Sequence, residues 1–200
     1  MFGLDMTLAA GMDSDARQIA LGLRQGNLVL LDALVEQYQY RLVRYLIYLL
    51  GRRDGVDDLV QETWLRVLER GSSYDGRSRF EPWLFTIARN LAIDHMRKRR
   101  TFSLDSNDDD EQEGVRPSPA SDAPSPFALA ARTEDAEALA HWLQTLEPSY
   151  REALVLRFQE DLSLQEMSAV VGAPVATVAS RIYRALRTLR SRLGEGNHDF

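Results

Sequence analysis

The sequence predicts an all-α protein of two helical domains joined by a flexible acidic linker. Apolar residues recur at helical spacing in two long stretches, 14–100 and 133–193, without the alternation typical of strands. Between them, residues 103–126 are rich in Asp, Ser, Pro and Glu and contain almost no large apolar side chain. Such a segment cannot bury enough surface to become ordered, which predicts a linker.

The domain boundaries follow from these changes in composition. We predict an N-terminal extension at 1–24, a first domain at 25–100, the linker at 101–133, a second domain at 134–193 and a tail at 194–200.

Charge is segregated along the chain, whose net charge is −6. Residues 101–131 account for this excess, since their seven acids outnumber the single base Arg116 and the rest of the chain is neutral. Basic residues form one block at 97–100 and a second in the C-terminal helix, at Arg181, Arg184, Arg187, Arg190 and Arg192. Two basic helices favour two contacts with a polyanion, although solvated helix faces explain the same pattern.

Several classes of protein are excluded or disfavoured by composition. The chain has no cysteine, which excludes disulfides, thiolate metal sites and cysteine nucleophiles. Its N-terminus has no basic segment and only a short apolar run, so we expect a cytoplasmic protein without membrane insertion. Met6 and Met12 leave the start codon open.

In the first domain, turn signals predict about four helices. Breaks are expected at Gly26-Asn27, at 51–55 and at 71–79. Pro82 suits the first turn of a helix running from Trp83 to Arg100. Helical periodicity assigns Trp83 and Phe85 to the core rather than to an exposed aromatic surface, and likewise Leu59, Trp64, Leu65 and Leu68.

The second domain contains the signals of a helix-turn-helix. Ser163 and Glu166 have capping-box spacing, Gly172 ends that helix, and Pro174 starts the next. A helix of this kind fits the DNA major groove. The predicted DNA contacts are Thr177, Ser180, Arg181 and Arg184, and the alternative is a plain three-helix bundle in which they are merely exposed.

Two sets of motifs stand in a fixed order in the two domains. The first comprises 57–66 (DDLVQETWLR), Phe80, 83–94 (WLFTIARNLAID) and the basic run 97–100. The second comprises 146–148 (LEP), 151–154 (REAL), 162–167 (LSLQEM) and 177–185 (TVASRIYRA). Together they resemble sigma domain 2 and sigma domain 4 of the sigma-70 family, in the small extracytoplasmic-function (ECF) type of bacterial RNA polymerase sigma factor.

The resemblance implies that core RNA polymerase binds the helix face carrying Asp58, Gln61 and Glu62. These residues stand at i, i+3 and i+4, hence on one face, and their charge suits electrostatic steering. An ordinary solvated face remains the alternative. No histidine or other converging ligand stands nearby, so we expect no metal there.

The resemblance also implies recognition of two promoter elements. The loop 74–79 and the following helix would melt and read the −10 element, with Gly76 permitting close approach and Tyr74 offering a stacking face. The predicted −10 contacts are Tyr74, Arg77, Arg79, Arg89, Asn90, Arg97 and Lys98. The four helix-turn-helix residues would read the −35 element, where Ala179 replaces a phosphate-contacting lysine frequent in the family.

The expected partners are core RNA polymerase, promoter DNA and an anti-sigma factor. We expect no catalytic residues, no cofactor and no small-molecule substrate, because no partnered base or ligand set accompanies the carboxylates. A conventional DNA-binding regulator explains only the second domain. A nucleic-acid enzyme is the other alternative. The acidic run 108–113 is either a polyanion mimic inside polymerase or a solubilising tether.

Overall fold

The computed structural model of the chain describes residues 15–105 and 142–195, with side chains at 15–99 and 142–191. Every regular element in these two stretches is helical, which confirms the all-α class. Beyond residue 105, the predicted linker lies outside the described residues, as do 1–14 and 196–200.

The first domain is a bundle of helices separated at the predicted breaks. They are α1 (15–24 in its described part), α2 (Leu28–Leu50), α3 (Val56–Arg70) and α4 (Phe80–Asp105). Asn27 caps α2 by accepting a hydrogen bond from the Leu30 amide at 3.1 Å. Gly51 ends α2 with φ 71°, a conformation that costs glycine little. The break at 71–79 begins with a 3₁₀ turn at Gly71–Ser73.

Two boundaries of the first domain differ from the prediction. Ala16, Ala20 and Leu23 of α1 are buried, so the domain begins within the predicted N-terminal extension. Helical periodicity from residue 14 and the break at Gly26-Asn27 predicted this helix, but the predicted boundary at residue 25 left it outside the domain. At the other end α4 continues to Asp105, because residues 101–105 contain no glycine or proline to stop it.

The second domain begins, in its described part, with helical residues 142–144 (α5). It continues with α6 (Pro148–Leu154), a π-helical turn at Val155–Gln159, α7 (Leu164–Val171) and α8 (Val175–Glu195). The predicted capping box is confirmed: Ser163 Oγ accepts from the Glu166 amide at 3.2 Å, and the Ser163 amide donates to Glu166 Oε2 at 2.7 Å. Gly172, with φ 64°, ends α7 as predicted.

Most of the predicted core is confirmed, with one group of errors on α3. Leu59 and Phe85 are buried, and Trp64 and Trp83 are partly buried against the core. Leu65 and Leu68, by contrast, are each 50% exposed. The prediction that these two leucines pack in the core was therefore wrong, because helical spacing alone does not decide which side of a helix meets its neighbours.

The two domains pack against each other, α6 on α2 and α7 on α4. Arg151 of α6 is buried in this contact, and a Cβ at Gly51 would lie 3.2 Å from its Nη1 atom. The guanidinium thus lies at the C-terminal end of α2, where the helix dipole favours a cation. Burial lowers the pKa of Arg151.

Candidate nucleic-acid and polymerase interfaces

The face of α3 that carries the predicted polymerase contacts is open to solvent. Asp58 and Gln61 are exposed, whereas Glu62 is half-buried and accepts from Arg66 Nε at 2.9 Å. Leu65 stands four residues after Gln61 and Leu68 seven, so both extend this face by further turns. Acidic and apolar groups therefore share one accessible strip on α3.

Sequence reasoning missed the apolar part of this strip. A signal was available: Leu65 and Leu68 continue the register of Asp58 and Gln61, whereas the buried residues of α3 follow a different register. The buried register is Val56, Leu59, Val60, Thr63 and Val67.

Tyr74 does not offer the stacking face predicted for it. Its side chain is 1% exposed, and its ring packs against Phe80 and Trp83 with centroids 5.5 Å and 5.3 Å away. The hydroxyl donates to the Ser78 carbonyl at 2.6 Å. Burial, with smaller contributions from Glu81 and Asp75, raises the pKa of Tyr74 to about 12. Tyr74 therefore anchors the loop from inside, because a large ring gains more from burial than from exposure.

Gly76 also has a different role from the predicted one. Its φ is 69°, and a Cβ there would lie 2.9 Å from the Ala16 carbonyl oxygen and 3.0 Å from the Ala20 Cβ. The close approach that glycine allows is thus to α1 of the same chain.

Arg77 is the accessible cation of this loop. Its side chain is 89% exposed, and its guanidinium pairs with Asp75 only at 3.7 Å. The Asp75 carboxylate instead accepts from the Arg77 backbone amide at 2.9 Å, which closes a tight turn. The side chain therefore extends from a fixed backbone.

Two of the predicted −10 contacts are covered by the second domain. Arg89 Nε donates to Glu152 Oε1 at 2.7 Å. Arg79 donates to the Asp161 carbonyl at 3.1 Å and lies 3.9 Å from Glu166. Neither guanidinium is free to bind nucleic acid in this arrangement.

Glu81 lies beneath the same cluster of cations. Burial raises its pKa, but a backbone hydrogen bond and the nearby Arg79, together with Arg41, outweigh this, so that the pKa of Glu81 is lowered overall. Glu81 is thus held ionised between Arg79, 3.3 Å away, and Arg41, 3.7 Å away.

The C-terminal half of α4 presents the other predicted −10 contacts. Asn90, Arg97 and Lys98 are exposed. Arg97 lies 3.7 Å from Asp94 on the preceding turn, and Arg99 pairs with Asp54 at 3.0 Å. This end of the helix carries several donors suited to phosphates.

The predicted −35 contacts share one side of α8. Thr177, Ser180 and Arg184 are exposed and Arg181 is half-buried, while Val178, Ala185 and Leu189 pack inward. All four line an open groove of about 480 Å³. Its other wall is formed by Ser149 and Tyr150 of α6 and by Glu147, which directly precedes α6. A hydrogen bond with Tyr150 raises the pKa of Arg184. The helix-turn-helix thus presents polar side chains where a major groove would dock.

Among the described residues, no group of three or more His, Cys, Asp or Glu side chains has the arrangement of a metal site. No helix in the same stretches is long and apolar enough to cross a bilayer.

Comparison with known families identifies both domains. Residues 34–102 match Sigma-70 region 2, and residues 136–189 match Sigma-70 region 4. The chain is 30% identical to the ECF RNA polymerase sigma factor SigM of Bacillus subtilis, over 84% of this chain and 98% of that protein. It is 32% identical to SigC of Mycobacterium tuberculosis, over 90% and 92%, and 34% identical to SigE of Mycolicibacterium smegmatis, over 82% of this chain but 62% of SigE.

Solved structures show the same fold. The sigma factor RpoE of Bartonella quintana, in complex with the anti-sigma factor NepR, aligns with a TM-score of 0.64 at 26% identity, over 84% of this chain and 98% of that one. CnrH, in complex with the cytosolic domain of CnrY, aligns with a TM-score of 0.62 at 25% identity, over 90% and 97%. With two family regions in order, and with SigM and SigC matched over nearly their whole length, the chain belongs to the ECF sigma factors of the sigma-70 family, which direct transcription initiation at promoters.

Proposed function

We propose that this sigma factor binds core RNA polymerase through the α3 face carrying Asp58, Gln61 and Glu62. The observation that carries the proposal is the accessibility of this face, which combines carboxylates with the exposed Leu65 and Leu68. Carboxylates give steering and register, and apolar groups supply affinity when they leave water. The two kinds of group together suit a protein partner better than a solvated surface.

The promoter contacts that we propose lie on three elements. Arg77 and Arg79 of the 74–79 loop and Arg89 and Asn90 of α4 engage the −10 element, with Arg97 and Lys98 on phosphates. Thr177, Ser180, Arg181 and Arg184 of α8 read the −35 element. Support comes from their side chains: all except Arg79, Arg89 and Arg181 are exposed, and the −35 set shares one groove. Arg79 and Arg89 would first have to leave Asp161 and Glu152. Tyr74 is no longer in this set, because its ring is buried.

We propose an anti-sigma factor as the regulating partner. RpoE forms a complex with the anti-sigma factor NepR, and CnrH forms one with the cytosolic domain of CnrY. The protein would act in the cytoplasm, where core polymerase and promoter DNA are found, and would have no catalytic activity of its own. The acidic run 108–113 lies outside the described residues. For that run, both the polyanion mimic and the simple tether stay open.

The experiment is run-off transcription with purified bacterial core polymerase, with and without the protein, on promoter fragments from its source genome. We expect discrete start sites only in its presence. Charge reversal in Asp58→Lys with Glu62→Lys should abolish them together with core binding. Asp32→Lys with Glu36→Lys is the matched control, because these exposed carboxylates have the same spacing on α2.

Two results would contradict the proposal. Equal loss in both double variants would point to a general charge effect rather than to the α3 face. Specific duplex binding by the protein alone, without any association with core, would favour the conventional regulator.

A further inference from the structure

A further group of cations stands beside the C-terminal end of α4, on the 51–55 loop between α2 and α3. Arg52 Nη2 lies 3.3 Å from His95 Nε2 of α4, and a Cβ at Gly55 would lie 3.3 Å from the His95 Cε1 atom. The loop therefore packs directly on α4, beside the basic run 97–100. We call the cations of these two segments the cationic corner: Arg52, Arg53, Arg97, Lys98 and Arg99.

Two cations of this corner have no acidic partner in the described part of the chain. Arg53 and Lys98 are exposed, and within residues 15–99 and 142–191 no carboxylate forms an ion pair with either of them. The backbone of Arg53 is fixed, because its carbonyl accepts from the Val56 amide at 3.1 Å. Exposed cations on a fixed backbone, without neighbouring acids to neutralise them, are suited to an anionic partner.

Asp54 pairs with two other cations of the corner. Its Oδ2 atom lies 3.0 Å from Arg99 Nη1 and 3.5 Å from Arg52 Nη1. The Asp54 side chain is 76% exposed, so these ion pairs gain little in water. A phosphate group offers oxygens of the same kind to the same guanidinium donors and can replace the carboxylate. Asp54 therefore competes with any bound phosphate for Arg52 and Arg99.

The position of the corner along α4 indicates which part of a promoter it would meet. The helix begins after the 74–79 loop, which we propose to engage the −10 element, and its C-terminal end leads toward the second domain and the −35 element. The corner is therefore on the upstream side of the first domain, where promoter DNA is a duplex. Duplex DNA carries one phosphate charge per about 1.7 Å of its axis, so a cationic surface there would meet several phosphates.

We infer that the cationic corner binds the phosphate backbone of the duplex immediately upstream of the −10 element, with Arg53 as a direct contact and Asp54 as a residue that weakens binding. This inference rests on the proposed function, and it adds the 51–55 loop to the DNA-binding surface of α4. Phosphates are the same in every sequence, so the contact adds affinity without base preference. Asp57 and Asp58 follow the loop directly, so the corner ends where the proposed polymerase-binding face of α3 begins.

Binding of the holoenzyme to two promoter fragments tests the inference. Both fragments carry the −10 element of a promoter found by run-off transcription, and neither includes the −35 element. One ends at the upstream edge of the −10 element, and the other continues for one turn of duplex, about 10 base pairs. We expect Arg53→Gln to weaken binding of the longer fragment roughly fivefold near physiological salt, and to make log affinity depend less steeply on log salt, by about 0.9. The shorter fragment should bind as it does to wild type.

Asp54→Asn should have the opposite effect. It frees Arg52 and Arg99 for phosphates, so we expect tighter binding of the longer fragment and a salt dependence steeper by up to about 1.8. Loss of structure weakens binding, so a folding defect cannot imitate this result. Arg24→Gln and Asp32→Asn are the matched controls, because they make the same charge changes at exposed positions near the other end of α2. That helix is roughly 35 Å long, and we expect both controls to bind both fragments as wild type does.

Three results would overturn the inference. The first is wild-type salt dependence of Arg53→Gln on the longer fragment, and the second is an equal change on both fragments. The third is weaker binding of Arg53→Gln to core polymerase with unchanged DNA binding by the assembled holoenzyme, which would mean that the corner contacts an acidic surface of polymerase. Failure of the wild-type protein to bind core would contradict the proposed function itself, and the inference with it, whereas the first two results leave the proposed function intact.

Discussion

Tyr74 shows how a single buried hydroxyl holds the 74–79 loop in place. The ring lies in an aromatic cluster with Phe80 and Trp83, and its hydroxyl bonds to the Ser78 carbonyl across the loop. The loop backbone is therefore tied to the core at one end, while Arg77 projects into solvent. Anchoring of this kind limits the conformations of the loop before any DNA is bound.

A pH titration tests this anchor. The folded pKa of Tyr74, about 12, lies above the ordinary value of 10.0, so folding favours the neutral phenol. Its stabilisation is complete below about pH 10 and is lost as the pH rises toward 12, at about 1.4 kcal/mol per pH unit. We expect the free energy of unfolding, measured in urea, to fall over this range and to fall less steeply in Tyr74→Phe.

Tyr38 and Tyr45 also have raised pKa values, chiefly through burial, so part of the slope will remain in that variant. Tyr183→Phe is the control, because Tyr183 is 69% exposed. An unchanged slope in Tyr74→Phe would show that its phenol is not buried in solution.

Gly76 gives a second test at the residue scale. Alanine at this position combines a left-handed backbone with a Cβ 2.9 Å from the Ala16 carbonyl, so we expect Gly76→Ala to destabilise the protein by about 2 kcal/mol or more. Gly26→Ala is the control, since Gly26 has φ 64° but no atom within 4 Å of its Cβ position. It should cost only about 1 kcal/mol. Equal losses in urea unfolding would show that α1 does not pack on the loop.

At the scale of elements, α3 has one side buried in the first domain and an opposite side open to solvent. Its buried side supports the first domain, and its outer side leaves Leu65 and Leu68 half exposed. Surface leucines that contribute little to folding are free to contribute to binding. If core polymerase binds this outer side, as we propose, its affinity can change without loss of the fold.

The corresponding variant is Leu65→Ser with Leu68→Ser. We expect its stability to change by less than about 1 kcal/mol, because exposed substitutions have small effects. Core polymerase affinity should fall by roughly 30-fold, since burial of the remaining exposed surface of each leucine contributes about 1 kcal/mol to binding. Leu28→Ser with Val29→Ser, which alters two exposed apolar residues of α2, should leave affinity unchanged in a fluorescence titration with core.

Local signals allowed the sequence to predict much of this arrangement of elements. Asn27, Gly51 and Gly172 end or begin helices through their own backbone and side-chain chemistry, and the Ser163 box needs only its neighbours. The burial of Tyr74 and the exposure of Leu65 depend instead on which helix lies opposite. The helical periodicity of one sequence does not show which helices lie opposite one another.

For the same reason, the contacts between the domains could not be predicted from the sequence. Glu152 and Glu160 stand in helical segments whose charges look like an ordinary solvated face. Their partners are far away in the chain, Arg89 for the former and Arg41 for the latter. The family motifs predicted which residues contact DNA, but did not indicate that Arg79 and Arg89 are covered by the second domain.

At the scale of the whole molecule, the length of chain between the domains decides whether α4 and α8 can reach the proposed −10 and −35 elements at the same time. The −10 and −35 elements are about 25 base pairs apart, or roughly 85 Å along B-form DNA. Each domain has a radius of about 15 Å, so the two radii together leave about 55 Å for the connection. Residues 106–133 before the predicted second domain reach about 90 Å when fully extended. The natural length is therefore sufficient, with some excess.

Deletion of residues 114–133 leaves a connection of roughly 30 Å at most, while it keeps the acidic run 108–113 and both domains. We expect this variant to bind core polymerase but to lose transcription from promoters that require both elements, because α4 and α8 can no longer reach them together. Reinsertion of a Gly-Ser segment of the same length should restore run-off transcription. Full activity of the shortened chain would mean that bent promoter DNA, rather than an extended connection, brings the two elements within reach of the domains.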